Sequence, residues 1–252
     1  MRYGRIISNM KNFKNDNLDF YENIDVNFDK ACELCEREFS HNELINMLKS
    51  GNIPEKQISA LKLDSVYDDN EVNILLSNLT GCDGKIREAA ALKINKILRT
   101  DVSKKELFSR YSAEPLGKAT IDINANICRL VIDSAVLLKN YNNFSKNYTE
   151  KVVLYAQEAL KELSKFIFRD KKYVINKQLF KLYWCLEALN FFHNFVPDNI
   201  LKEIIVECAS QSEYTIREKI AQLILSVGKY DDILEKLKQD DNYYVRQKAL
   251  NH

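Results

Sequence analysis

Glycine and proline are both scarce. The 252 residues hold 6 Gly and 3 Pro, too few for a turn-rich sandwich or a low-complexity chain. No apolar run reaches the ~18 residues that would mark a membrane span. The opening stretch "MRYGRIISNMKNFKND" has basic residues but no apolar core followed by a small-residue cleavage site, so no signal peptide is expected. A dominant charge sign is missing as well. Lys plus Arg (37) nearly cancels Asp plus Glu (36), which removes any global attraction to a phosphate backbone or an acidic membrane. Histidine is limited to His41, His193 and His252; His41 sits in a first turn beside the cap residue Ser40, and no Cys/His or Ser/His arrangement points to nucleophilic catalysis. Gly-rich phosphate loops, HExxH and nucleophile elbows are absent. No catalytic residue and no cofactor is therefore assigned, and the reading leans away from an enzyme.

What remains is apolar and periodic. Hydrophobic residues make up 46% of the chain, enough for a sizeable core. Ile86, Ala89, Ala90, Ile94, Ile97 and Leu98 follow the i, i+3, i+4 rule, as do Ile216, Ile220, Leu223, Ile224 and Val227. Capping boxes punctuate the chain at Ser40–Glu43, Asn52–Glu55, Asp68–Glu71, Ser103–Glu106, Asn147–Glu150 and Thr215–Glu218. Gly51 and Gly228 sit where a left-handed residue would end a helix. Pro54, Pro115 and Pro197 fall in connections or first turns. These signals predict helices near 29–39, 41–50, 54–66, 70–80, 84–99, 104–112, 121–140, 149–168, 173–195, 198–210, 215–228, 231–239 and 243–251. Residues 1–28 read as a polar N-terminal arm, partly disordered, ahead of one helical domain over 29–252.

The helices repeat. Aligned at the first apolar residue, "IREAAALKI" starts at Ile86, "ICRLVIDSA" at Ile127, "INKQLFKLYW" at Ile175, "IREKIAQLI" at Ile216 and "VRQKAL" at Val245. A weaker member, "KQISALKL", starts at Lys56. The intervals between the five stronger members are 41, 48, 41 and 29 residues, which suits stacked helical hairpins. The phrase [Ile/Val]-Arg-[Glu/Gln]-x-x-Ala behind an acidic or polar loop resembles HEAT and HEAT-like (armadillo-type) repeats, most strongly over 69–98 and 198–252. Over 103–195 the match weakens, because Cys128 and Asn176 stand where Arg is expected. The resemblance implies an all-α, right-handed α-α superhelix of about six hairpins. It also implies a non-catalytic scaffold or adaptor that binds a protein or peptide on its concave face. The alternative is a nucleic-acid-binding relative of the HEAT-like DNA glycosylases. HEAT-like bilin lyases share the fold, but no residue here maps to their chemistry.

Several residues carry the functional expectations. Arg87, Arg217 and Arg246 follow the apolar anchor of their helices and point along the stack. Each is expected to pair with an Asp or a carbonyl of the adjacent layer, and anion binding is the competing role. Asp83 and Asp240 or Asp241 lie just ahead of these helices, facing the positive helix end. The stretch "KQLFKLYWCLEALNFFHNF" at 177–195 is apolar nearly all round and should be central. Rings left over there, Tyr183 and Trp184 first, are candidate interface anchors. "CELC" at 32–35 with His41 is the most metal-like feature. A lone CxxC on a helix supplies only two of the four ligands zinc needs, so the pair reads as small core residues and no metal is assigned. Six cysteines spread through helical segments point to reduced thiols and a cytoplasmic protein. The sequons at Asn78, Asn143 and Asn147 are then fortuitous. Lys104–Lys105, Arg169–Lys171–Lys172, Lys236–Lys238, Lys146 and Lys151 would favour nucleic acid only if aligned on one face. Oligomeric state, partner identity and pathway are not legible.

Overall fold

The computed structural model describes residues 18–165 and 172–250, all α-helices, one short 3-10 turn and loops. The chain forms two compact units, residues 1–64 and 65–252.

The first unit contains α1 (Leu18–Glu36), α2 (His41–Ser50) and α3 (Ile53–Lys62). Two complete capping boxes start α2 and α3. Ser40 and Asn52 each accept from the amide three residues on, and Glu43 and Glu55 reach back to the cap amides. The helices close over Leu34, Leu44, Ile45, Leu48 and Ile58. Gly51 differs from expectation. Its φ is −70°, extended rather than left-handed. Glycine is needed there for space: a Cβ would lie 2.5 Å from the Met47 carbonyl oxygen. Of the expected polar arm, residues 1–17 lie outside the described residues and 18–28 are helical.

The second unit stacks helical pairs. They are α4 (Asp69–Leu79) with α5 (Gly84–Thr100), and α6 (Lys104–Ser109) and α7 (Ala113–Ala119) with α8 (Ala125–Leu137). Then come α9 (Asn142–Ser164) with α10 (Lys172–Phe192), α11 (Asp198–Ala209) with α12 (Tyr214–Val227), and α13 (Asp231–Leu237) with α14 (Tyr243–Leu250). The second unit thus holds five layers, and the first unit has the α2–α3 hairpin of its own, against about six hairpins expected. First helices pack on first helices and second helices on second helices, as in HEAT- and armadillo-type stacks. The anchors Ile86, Ile127, Ile216 and Val245 are buried between layers. The centre is aromatic: Tyr148 stacks on Phe144, meets Phe192 at 5.0 Å and hydrogen-bonds Thr120 at 2.8 Å.

The helices expected at 29–39, 54–66 and 121–140 are Leu18–Glu36, Ile53–Lys62 and Ala125–Leu137, and three further departures have a local cause. The expected helix 104–112 is two short helices, and Pro115 sits in the first turn of the second. Ser103 does not cap; its amide and hydroxyl donate to Asp101. Helix α9 begins at Asn142 and runs through the proposed cap at Asn147, because the buried side chains of Phe144, Ser145 and Tyr148 extend the apolar face one and a half turns upstream. At α12 the cap is Glu213, which accepts from Thr215. Gly228 is left-handed as expected, with φ 66°.

Candidate functional site: arginine clasps and the second-helix face

Counting from the apolar anchor of each second helix as position zero, the loops of the stack share one register. Position −3 caps the helix in four layers. Asp83 accepts from Lys85 and Ile86, Asn124 from Asn126, Glu213 from Thr215 and Asn242 from Tyr244. A polar side-chain oxygen there satisfies amides that have no intrahelical acceptor.

Position +1 is arginine in three layers, and all three use Nη1 in one way. Arg87 donates to the carbonyls of Gly81 (3.1 Å) and Cys82 (2.8 Å). Arg217 donates to those of Gln211 (2.8 Å) and Ser212 (2.9 Å), and Arg246 to those of Asp240 (2.6 Å) and Asp241 (2.9 Å). These carbonyls occupy positions −5 and −4 of the arginine's own loop. The other edge of the guanidinium reaches the next layer. Arg87 holds the carboxylate of Asp122 through Nε (2.6 Å) and Nη2 (3.3 Å). Arg217 holds Asp240 through Nε (2.6 Å) and Nη2 (2.9 Å), with Asp241 also on Nη2 at 3.0 Å. Asp122 and Asp240 both stand at position −5, and their side chains are only 8% and 9% exposed. Planar, two-pronged pairing fixes both the distance and the angle between layers. The hydrogen bond from Arg217 outweighs burial and holds the Asp240 carboxyl down at about 2, with the Asn242 amide adding to the effect. Asp240 thus works as a clasp, and the cap role belongs to Asn242.

The same register explains where the clasp is missing. Cys128 occupies +1 in the second layer and donates its thiol to the carbonyl of Asp122, the position −5 oxygen that arginine takes elsewhere. Burial, then the nearby Asp122 charge, pushes this thiol up to about 12, so it is a neutral donor and no nucleophile. It is too short to reach another layer. Asn176 holds +1 in the third layer and is exposed. Helices α8 and α10 touch along little of their length, whereas α5 and α8, α10 and α12, and α12 and α14 pack extensively, the α10–α12 pair without a clasp. The anchor Ile175 is only half-buried, unlike its four counterparts.

Helix α10 carries the aromatic expectation, and the structure divides it. Trp184 is buried at 7% exposure, edge-on to Tyr183 (5.2 Å) and Phe180 (6.2 Å). Its place in the core corrects its assignment as an exposed anchor. Its indole N–H has no hydrogen-bond partner among the described residues. Tyr183 and Phe180 are half-buried, and Tyr173, two turns upstream, is 79% exposed. Tyr173 carried no site assignment in the sequence; its wide spacing from the Phe180–Tyr183 pair along one helical stripe was the available signal. Across from Tyr183, Lys219 of α12 lies 4.9 Å from the ring centroid and 2.5 Å from Glu187. Burial opposes the Lys219 charge, but the hydrogen bond and charge of Glu187 prevail and its pKa is raised. Lys219 is therefore a cation at any physiological pH, held against an aromatic face. Further along, Ser226 donates to Asn190. Between α5 and α8, Asn95 donates to Ser134 and the Leu130 carbonyl, and Arg99 to Asp133.

The remaining sequence features are placed as follows. Cys32 and Cys35 are exposed on α1, with Leu34 taking the buried place between them, so the core reading of that pair is corrected. Among the described residues no three His, Cys, Asp or Glu side chains cluster as a metal would require. His193 sits in a 3-10 turn with Nδ1 3.2 Å from the Asn190 carbonyl. Lys104 lies over the Tyr67 ring, Lys151 pairs with Glu114 and Lys238 with Glu235. The cluster Arg169–Lys171–Lys172 and His252 fall outside the described side chains. No described helix is long and apolar enough to cross a membrane.

No protein-family model matches the sequence, and no curated protein matches it. Among solved structures, the chain is similar to the archaeal HEAT-like repeats protein from Thermococcus onnurineus NA1, at 14% identity and a TM-score of 0.47, over 85% of this chain and 79% of that one. An engineered protein matches at 13% identity and a TM-score of 0.49, over 84% and 96% of the two chains. A computationally designed armadillo repeat protein for modular peptide recognition matches at 13% identity and a TM-score of 0.47, over 83% and 97%.

Proposed function

We propose that this chain is a non-catalytic scaffold whose second-helix face binds a protein or peptide partner, with α10 as the centre of the contact. The observation that carries the reading is the stripe Tyr173, Phe180 and Tyr183 on α10, bordered by the Lys219–Glu187 pair. Rigid rings with part of their faces open, next to charges of both signs, are what protein interfaces use as anchors. Phosphate backbones call instead for a continuous basic track. Arg87 and Arg217 serve the partner indirectly by fixing the spacing of the helices that form the face.

The test is affinity capture with the full chain, followed by mass spectrometry, beside a triple variant Tyr173→Ala, Phe180→Ala, Tyr183→Ala. The expected result is a specific protein captured by the parent and lost by the variant, with both showing the same helical circular dichroism. Equal capture by the two would remove α10 from the interface. DNA affinity that falls steeply between two salt concentrations, with no protein captured, would place the chain in the nucleic-acid class.

A further inference from the structure

One junction inside the second unit is built the other way round. Between the other layers the second helices pack extensively and the first helices touch little. Between the second and third layers the first helices pack extensively, α7 on α9, while α8 and α10 touch little. Gly117 allows the close side, since a Cβ there would lie 2.9 Å from the Lys151 Cβ, and the buried Thr120–Tyr148 hydrogen bond holds it. The two layers are therefore drawn together on the first-helix side and splayed on the second-helix side. Arg129 and Val136 share a stripe of α8, and Lys177, Phe180 and Lys181 share one of α10. Arg129 and Lys177 are exposed, and Val136, Phe180 and Lys181 are half-buried. Charge at this junction is one-sided. Helices α8 and α10 carry one acidic residue each, and both are paired, Asp133 with Arg99 and Glu187 with Lys219. Glu162 of α9, which feels the Lys181 charge, is held by Lys165. Among the described residues Arg129 bonds only the neutral Asn126, and Lys177 and Lys181 form no ion pair.

We propose that the splayed α8–α10 flank seats an acidic amphipathic helix of the partner protein. The inference rests on the reading of α10 as the contact and names its occupant. A helix is the shape that lies along a second helix at every other junction of the unit. The occupant's apolar stripe lies against Val136 and Phe180, and carboxylates beside that stripe pair with Arg129, Lys177 and Lys181. Nucleic acid fits less well, because three cations on two helices make no continuous basic track.

The test uses the full chain and two labelled helical peptides of about 18 residues, one with glutamate beside a leucine stripe and one with glutamine there. Fluorescence anisotropy should show the glutamate peptide binding about tenfold more tightly. Arg129→Glu with Lys177→Glu should remove that preference while leaving the circular dichroism unchanged, and Arg129→Lys with Lys177→Arg should keep it. No binding of the glutamate peptide, equal affinity for the two, or a preference that survives the double reversal would overturn the proposal. So would a single-stranded oligonucleotide that binds the parent more tightly than the glutamate peptide and displaces it. The two readings fail separately. A captured protein that is lost on Tyr173→Ala, Phe180→Ala, Tyr183→Ala but retained by the double reversal would keep α10 as the contact and remove the acidic helix as its occupant.

Discussion

A guanidinium with five donors in one plane can hold two loop carbonyls on one edge and a carboxylate on the other. Arg87 and Arg217 do both, and this makes single atoms decisive in a stack that otherwise rests on apolar contact. Arg217→Ala would leave the nearly buried Asp240 carboxylate without its partner, which costs on the order of 3 kcal/mol. Arg246→Ala, with no carboxylate to strand, should cost under about 1 kcal/mol. Urea denaturation of the two variants measures the difference. The clasp also sets an acid dependence. The Asp240 pKa is depressed in the folded state to about 2, so its contribution is complete above the ordinary aspartate range near ~3.9 and fades as pH falls toward the folded value. Asp240→Asn should flatten the stability curve between about pH 4 and pH 2 relative to the parent.

Individual helices are held by caps, close approaches and buried anchors, and these too can be tested one at a time. Gly51→Ala would set a methyl group against the Met47 carbonyl and should destabilise the first unit even though its φ suits alanine. The melting temperature or proteolytic sensitivity of residues 27–64 reads this out. Deleting 243–252 removes Val245 and Ala249, both buried, and uncovers the α12 face they pack on. A lower Tm is expected, and an unchanged one would show that α14 adds no stability. Helix boundaries were readable in the sequence wherever a cap and an apolar period agreed, as at His41–Ser50. They were misread where a polar stretch hid a helix. Asn142–Asn147 reads as a loop, yet Phe144 within it and Tyr148 just after it are buried.

Across the second unit, stability should be uneven. The layers joined by clasps, α5 to α8 and α12 to α14, couple through a two-pronged ion pair and extensive packing. The α8–α10 junction has neither: Cys128 turns its thiol back onto its own loop and makes no ion pair, and the two helices touch along little of their length. A stack whose layers contact only their neighbours opens first at its weakest interface. Native-state hydrogen exchange should therefore show α8 and α10 amides at that junction exchanging at lower free energies of opening than the inner turns of α5 and α12.

The sequence by itself determined the helical class, the period, and the arginine and aspartate at their repeat positions, since these follow from local spacing and short-range capping. It also marked the weak layer, because Cys128 and Asn176 break the phrase in plain view. Only the tertiary structure decided that Trp184 is core while Tyr173 is surface, because α10 is apolar on nearly every side and its neighbours choose which rings they cover. Tertiary structure alone likewise paired Arg87 with Asp122 and Arg217 with Asp240. Those partners lie 35 and 23 residues apart, a span over which no local rule operates and only the stacking of one layer on the next brings the groups together.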